Sequence, residues 1–116
     1  MWVKLDHEFH GNRKVVGLPD SAVGLWTRCV SYCGWQLTDG VVEAPIVRQF
    51  HARSRDVDAL VDAGLWIPTN GGGFIFHDFL DYNPSREQVK AEAAATRERR
   101  REQRLRRQAD QRDLFE

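Results

Sequence analysis

The sequence predicts an α+β fold: a small winged helix-turn-helix domain, with about three helices and a β-hairpin wing, followed by a long basic C-terminal helix. Between residues 44 and 79, two short helical patterns are followed at once by two strand-like segments with a glycine-rich tip between them. From residue 84 onward, alanine, glutamate, glutamine and arginine dominate, and all four are good helix formers. These two observations predict a winged-helix domain at residues 1–83 and an arginine-rich helical tail at residues 84–116, which is either a projecting helix or disordered until it is bound.

The first half of the domain is expected to supply one strand and one core helix. Residues 2–5 are rich in strand-forming side chains and predict a short first strand. Pro19 opens a helix-start signal, in which Asp20 or Ser21 is the expected N-cap. Apolar residues then recur at helical spacing, which predicts a helix over residues 20–35.

The second half is expected to begin with the helix-turn-helix. A turn at residues 38–40 leads into a brief strand at residues 41–42. Pro45 suits the first turn of a short helix. Ser54 is expected to cap the next helix, which runs to residue 63 and stops at Gly64 in a left-handed conformation.

Two apolar segments after this helix predict the hairpin. Residues 65–67 and 74–76 are rich in aromatic and β-branched side chains, which favour strands. The tip between them carries three consecutive glycines. Because only glycine takes positive φ angles without steric cost, three in a row indicate a flexible wing.

Length and composition indicate one small globular domain. The chain has 116 residues, 41% of them apolar, and the tryptophans Trp2, Trp26, Trp35 and Trp66 support a packed core. No apolar run approaches the ~20 residues that a membrane span needs. The N-terminal residues lack the basic and apolar regions of a signal peptide. We therefore expect a cytoplasmic protein without a membrane partner.

Charge is distributed unevenly, although the formal net charge is zero. Residues 1–83 carry seven basic and ten acidic side chains, a net charge of −3. Residues 84–116 carry ten basic and seven acidic side chains, a net charge of +3. A mildly acidic body with a basic tail predicts that the tail binds polyanions.

No motif indicates catalysis or a bound cofactor. The sequence has no phosphate loop, no nucleophile elbow and no HExxH motif, so we expect a protein that is not an enzyme and needs no cofactor. Cys29 and Cys33 lie four residues apart on one helix face, which is poor geometry for a disulfide. Buried thiols are favoured over a zinc site that would need His7 and His10, and no metal is expected.

The tail carries a candidate phosphate-binding surface. At roughly 100° per residue, five arginines fall within an arc of about 120° on the predicted helix, whereas Glu98 and Glu102 lie off that arc. The five arginines are Arg97, Arg100, Arg101, Arg104 and Arg107. Like charges at this spacing destabilise a free helix, and a row of phosphates relieves the repulsion. A solvated tail or a protein-binding helix remains the alternative.

The helix after the turn is the one that reads bases in a helix-turn-helix. Basic and polar residues gather near its start, and the candidate DNA contacts in the domain are Arg48, His51, Arg53, Ser54 and Arg55, with Asn70 at the wing tip. Its outer face is expected to hold Arg55 against three aspartates, including Asp56, and such carboxylates repel phosphates. The alternative is a protein interface formed by Asp58, Ala59, Asp62 and Ala63.

Several segments resemble a known family. They are Trp2-Val3-Lys4-Leu5-Asp6, Ala22-Val23-Gly24-Leu25-Trp26, Thr38-Asp39-Gly40, Leu60-Val61-Asp62-Ala63-Gly64-Leu65-Trp66 and His77-Asp78-Phe79-Leu80-Asp81-Tyr82-Asn83-Pro84-Ser85. Together they resemble phage and prophage winged-helix proteins of the replication-initiator type, which are similar to the N-terminal part of DnaD-like primosome proteins. The resemblance implies a role in replication initiation or transcriptional control, in the host cytoplasm if the chain is phage-encoded. It also implies that the winged helix can serve self-association.

Two functions from different classes follow. The first is a non-enzymatic DNA-binding protein whose basic tail binds the phosphates of double-stranded DNA. The second is a protein-interaction module that forms a homodimer, or binds a replication or host factor, without specific DNA recognition.

Overall fold

The structure is a computed structural model that describes residues 2–115. The chain divides into two compact units, the first ending at Ser85 and the second beginning at Arg86. The first unit mixes helices with a small antiparallel sheet, and the second is one long helix. The expected mixture of α and β elements and the long C-terminal helix are therefore confirmed.

The elements of the first unit follow one another with short connections. After a 3-10 helix at Phe9–Gly11 come α1 (Arg13–Val16), α2 (Asp20–Gln36), β1 (Val41–Val42), α3 (Ala44–Gln49), α4 (Ser54–Asp62), β2 (Trp66–Pro68), β3 (Phe74–Phe76) and α5 (Phe79–Tyr82). The second unit is α6 (Arg86–Phe115).

The sheet has three antiparallel strands with β3 in the centre. Ile75 of β3 lies opposite Val41 on one side and Ile67 on the other. Because successive side chains alternate between the two faces of a sheet, the neighbouring residues Trp66 and Phe76 point to the opposite face, where both are buried. The predicted hairpin is thus confirmed, with its apolar inner face turned to the core.

The core of the first unit lies between α2, α4 and the sheet. Its largest fully buried side chain, Trp66, stacks on Phe74 with 5.0 Å between ring centroids and meets Phe76 edge-on at 5.8 Å. Cys29 and Cys33 are fully buried and free, as expected. Burial, with the neighbouring Cys33 thiol, raises the pKa of Cys29 to about 12, so this thiol stays protonated at neutral pH.

The tryptophans divide into two groups, and the expectation that all four support the core is wrong for two of them. Trp66 is buried, and Trp26 is half-buried against the core. Trp2 and Trp35 are 90% and 77% exposed. Trp35 lies on α2 two positions after buried Cys33, a step of roughly 200° around a helix, which turns it to the opposite side.

The expected first strand is absent: residues 2–5 do not pair with the sheet. The backbone N–H of Lys4 instead donates to Oδ1 of the buried Asn83 at 2.9 Å. Asn83 also donates from Nδ2 to the carbonyl oxygen of Phe79 at 3.2 Å. A side-chain amide thus takes the hydrogen bond that a neighbouring strand would have supplied.

The expected N-caps are also wrong. Pro19 and Arg53 occupy the N-cap positions of α2 and α4, both with extended backbone and neither with a side-chain cap. Asp20 and Ser54 are therefore the first residues inside their helices rather than caps. The hydroxyl of Ser21 donates instead to Asp56 of α4, at 2.7 Å.

Glycines shape two turns around α4. Gly64 has φ +77°, as expected for a left-handed helix stop, and it follows the C-cap residue Ala63. In the hairpin tip only Gly72 has a positive φ, +81°. At Gly73 the constraint is space, because a Cβ atom there would collide with the carbonyl oxygen of Val42. The three tip glycines therefore have different roles: Gly72 adopts the positive φ, Gly73 allows the close approach to Val42, and Gly71 does neither. The sequence had predicted flexibility from all three.

Candidate nucleic-acid interface

The second unit presents the five predicted arginines on one side of α6. The helix is continuous over 30 residues, and all five side chains are exposed. They line a single shallow groove along the helix surface, and we call these residues, Arg97, Arg100, Arg101, Arg104 and Arg107, the arginine face. The helical rotation inferred from the sequence therefore matches the arrangement in the structure.

Little within α6 neutralises the arginine face. Within residues 2–115, none of its guanidinium groups has a carboxylate within 4 Å. Glu98 nevertheless lines the same groove, whereas the sequence placed it off the arginine arc. Even with Glu98 and Glu102 counted, residues 97–107 carry seven arginines against two glutamates, a net charge of +5. The groove is therefore an anion-attracting surface.

A second group of basic residues surrounds the turn between α3 and α4. Arg48 lies in the last turn of α3, His51 in the turn itself, and Arg53 and Arg55 at the start of α4. All four side chains are exposed, as is Ser54. His51 has a left-handed backbone, with φ +53°, which reverses the chain between the two helices. The predicted basic residues are thus accessible beside the N-terminus of α4, the end of a helix that favours negative charge.

Asp56 lies elsewhere than the sequence placed it. It is 4% exposed rather than on the outer face of α4, and it accepts the 2.7 Å hydrogen bond from the Ser21 hydroxyl. The Nε of Arg55 lies 3.9 Å from the same carboxylate oxygen. The outer face of α4 therefore keeps only Asp58 and Asp62 as exposed acids, one fewer than expected.

The four residues of the predicted protein interface on α4 differ in burial. Asp58 and Asp62 are exposed, one turn apart. Ala59 is half-buried and packs against the core, and Ala63 is half-buried. The two alanines of the predicted interface are thus partly covered by the domain itself.

The hairpin tip offers two polar side chains, Asn70, which is exposed, and Thr69, which is half-buried. The tip is closed by backbone hydrogen bonds from Thr69 N–H to the Gly73 carbonyl at 2.9 Å and from Gly72 N–H to the Thr69 carbonyl at 3.3 Å. Its residues 69–73 carry no lysine or arginine. Any contact of the tip with a phosphate therefore relies on the Asn70 amide, the Thr69 hydroxyl or backbone N–H groups.

Residues 2–115 contain no group of three or more histidine, cysteine, aspartate or glutamate side chains placed to hold a metal ion. Among the same residues, no helix combines the length and apolar character that crossing a bilayer requires.

One surface was missed by the sequence reasoning. It is an open groove between α2 and α3, where the exposed Trp35 lies near Tyr32 and Phe50. The position of Trp35 around the helix could have indicated this surface, because that residue falls on the side of α2 away from the core.

Comparison with known proteins finds no matching protein-family model, no similar curated protein and no similar solved structure. The resemblance to phage winged-helix proteins therefore stays a prediction from the sequence.

Proposed function

We propose that the protein is a non-enzymatic DNA-binding protein in which the arginine face binds the phosphates of double-stranded DNA. The observation that carries the proposal is the set of five exposed arginines on one side of a continuous helix, without a carboxylate within 4 Å of any of them in the described chain. Such a row repels itself in a free helix. It is stabilised when phosphates neutralise it and release their condensed counterions.

We further infer that the first unit is a winged helix-turn-helix domain that orients the protein on the duplex. The order α2, β1, α3, α4, β2, β3, with the hairpin directly after α4, supports this. In a helix-turn-helix, the N-terminal part of the second helix contacts the base edges. Arg53 and Arg55 are exposed at that part of α4, and the burial of Asp56 removes one of the acids that would oppose the approach.

A role in replication initiation or in transcriptional control, in a phage context, rests on the sequence resemblance alone. The contacts proposed for the arginine face are with the DNA backbone, which carries no sequence information by itself. Any preference for a particular site would come from α4 and the hairpin tip.

Salt dependence tests the proposal. Five neutralised phosphates predict that log K falls with log salt concentration at a slope of about −4.5. Replacing all five residues of the arginine face by glutamine should abolish most of that slope and weaken duplex binding at low salt. Fluorescence anisotropy of a labelled duplex at several salt concentrations measures both quantities, with circular dichroism to verify that α6 stays helical.

A matched pair of double variants separates the position of the charge from its amount. Arg101→Gln with Arg104→Gln removes two charges from the arginine face. Arg99→Gln with Arg106→Gln removes the same charge from the opposite side of the helix, roughly 180° to 200° away from Arg97. We expect the first pair to lower the slope by about 2 and the second pair by much less. Equal losses, or unchanged binding in the fivefold variant, would contradict the proposed arginine face.

A protein-interaction role is the second candidate. The observation that favours it is the exposed pair Asp58 and Asp62. Both lie on α4, the helix that would otherwise contact DNA bases, and their carboxylates repel phosphates. This function predicts concentration-dependent self-association in sedimentation, or a specific partner protein, together with absent duplex binding even at low salt. Reversal of self-association by Asp58→Lys and Asp62→Lys would support it.

A further inference from the structure

The groove between α2 and α3 differs in character from the rest of the first unit. It is open to solvent and lies wholly within that unit. Its lining includes Arg28, Tyr32, Trp35, Gln36, Gln49 and Phe50. We call this surface the α2–α3 groove.

Aromatic rings dominate the α2–α3 groove. Trp35 is 77% exposed, so most of its ring is accessible to a ligand. Tyr32 and Phe50 are half-buried and meet edge-on with 6.2 Å between their ring centroids, so they form a fixed wall. The groove therefore combines one accessible ring with two rings that are held in place.

The charge of the groove is of one sign. Arg28 is exposed, and none of the described residues that line the groove is an aspartate or a glutamate. This contrasts with the net charge of −3 over residues 1–83. Gln36 and Gln49 add amides, which both donate and accept hydrogen bonds.

Arg28, Tyr32 and Trp35 follow one another along one side of α2. Their spacing of four and then three residues places them on a common stripe that extends about 10 Å along the helix axis. A ligand that lies along this stripe meets a cation at one end and an aromatic ring at the other.

We propose that the α2–α3 groove binds single-stranded DNA, with a base stacked on Trp35 and a phosphate beside Arg28. Sites for single strands combine positive charge with aromatic side chains on which bases stack. In a duplex, the faces of the bases are already covered by their neighbours, so only an unpaired strand offers a base to Trp35. The amides of Gln36 and Gln49 supply donors and acceptors for base edges.

Charge complementarity favours this occupant over a second copy of the chain. Protein interfaces are also rich in tryptophan, tyrosine and arginine. A two-fold dimer through this groove would set its cation against the same cation of the other copy, whereas a phosphate neutralises Arg28. Self-association through this groove is one outcome of the test below.

The test uses full-length protein in which the arginine face is replaced by glutamine, so that the proposed duplex site does not contribute. A labelled oligonucleotide of twelve deoxythymidines is titrated at low salt and followed by anisotropy. Trp35→Ala should weaken binding about 5- to 150-fold, the range for losing one stacked base. Arg28→Gln should weaken binding and lower the salt slope by about 1.

Two control variants make the result specific to the groove. Trp2→Ala removes a ring that is 90% exposed but lies outside the groove, and it should leave binding unchanged. Trp35→Phe keeps a ring and should retain part of the affinity. Unchanged binding by Trp35→Ala, or an equal loss in Trp2→Ala, would overturn the proposal. A dimer that Trp35→Ala dissociates, with no effect on the oligonucleotide, would assign the groove to self-association instead.

The same series in protein with an intact arginine face distinguishes this proposal from the proposed function. Duplex binding should respond to the arginine face and not to Trp35. Single-strand binding in the glutamine-substituted protein should respond to Trp35. Either site can therefore fail without the other.

Discussion

The two units of the chain set the positions of their charges by different means. In the first unit, packing decides: Asp56 is buried against Ser21 of another helix, while Asp58, two residues later, is exposed. In α6 nearly every side chain is exposed, and rotation along the helix alone places each arginine. A substitution at a buried position of the first unit thus acts through the core, whereas one on the arginine face changes charge with little effect on stability.

A pair of leucine substitutions tests this contrast most strongly. Leu60 is fully buried in the core of the first unit, and Leu105 is 54% exposed on α6. Leu60→Ala should lower the free energy of unfolding by about 2–5 kcal/mol, because it leaves a cavity. Leu105→Ala should change it by no more than about 0.5 kcal/mol. Urea unfolding measures both, with tryptophan fluorescence for the first unit, which holds all four tryptophans, and far-ultraviolet circular dichroism for α6. Similar losses would break the contrast.

Removal of the buried carboxylate is expected to have the next largest effect on the free energy of unfolding. Asp56→Ala removes the acceptor of the Ser21 hydroxyl, and we expect a loss of about 1.5–3 kcal/mol, the range for hydrogen bonds to charged groups. Asp58→Ala, on the exposed side of the same helix, should stay within about 0.5 kcal/mol of the original protein. The same unfolding titration compares them. If the two aspartates proved equivalent, the burial of Asp56 would not stabilise the fold.

The hairpin tip gives the smallest of these effects. A Cβ at Gly73 meets the Val42 carbonyl and lies 3.0 Å from the Cα of Glu43, so Gly73→Ala should cost about 1–3 kcal/mol. Gly71 has open space around it, and Gly71→Ala should be neutral or stabilising by up to about 1 kcal/mol. Thermal unfolding of the two variants is the measurement. Equal midpoints would show that the tip does not depend on close contact with β1.

Local patterns were sufficient for several elements. The helical spacing of apolar residues predicted α2, and Gly64 predicted the end of α4, because each signal acts within a few residues of the chain. The hairpin was predictable for the same reason. The N-caps were not, since the Ser21 hydroxyl finds its acceptor 35 residues away, in Asp56.

The two candidate sites also differ in whether the sequence alone could predict them. The arrangement of the arginine face was inferred from the sequence, because the rotation per residue of a helix is the same wherever the helix lies. The α2–α3 groove was not inferred, because Phe50 reaches Tyr32 only once the two helices have packed. A single sequence does not show which helices pack against each other.

The sequence by itself determined the order of the elements from α2 to β3, the helical character of residues 86–115 and the common side of its five arginines. Only the tertiary structure decided that Asp56 is buried, that Phe50 packs against Tyr32 and that Gly73 must lack a side chain. The first group depends on backbone geometry over a few neighbouring residues. The second depends on contacts between segments far apart in the chain, which form only when the core closes.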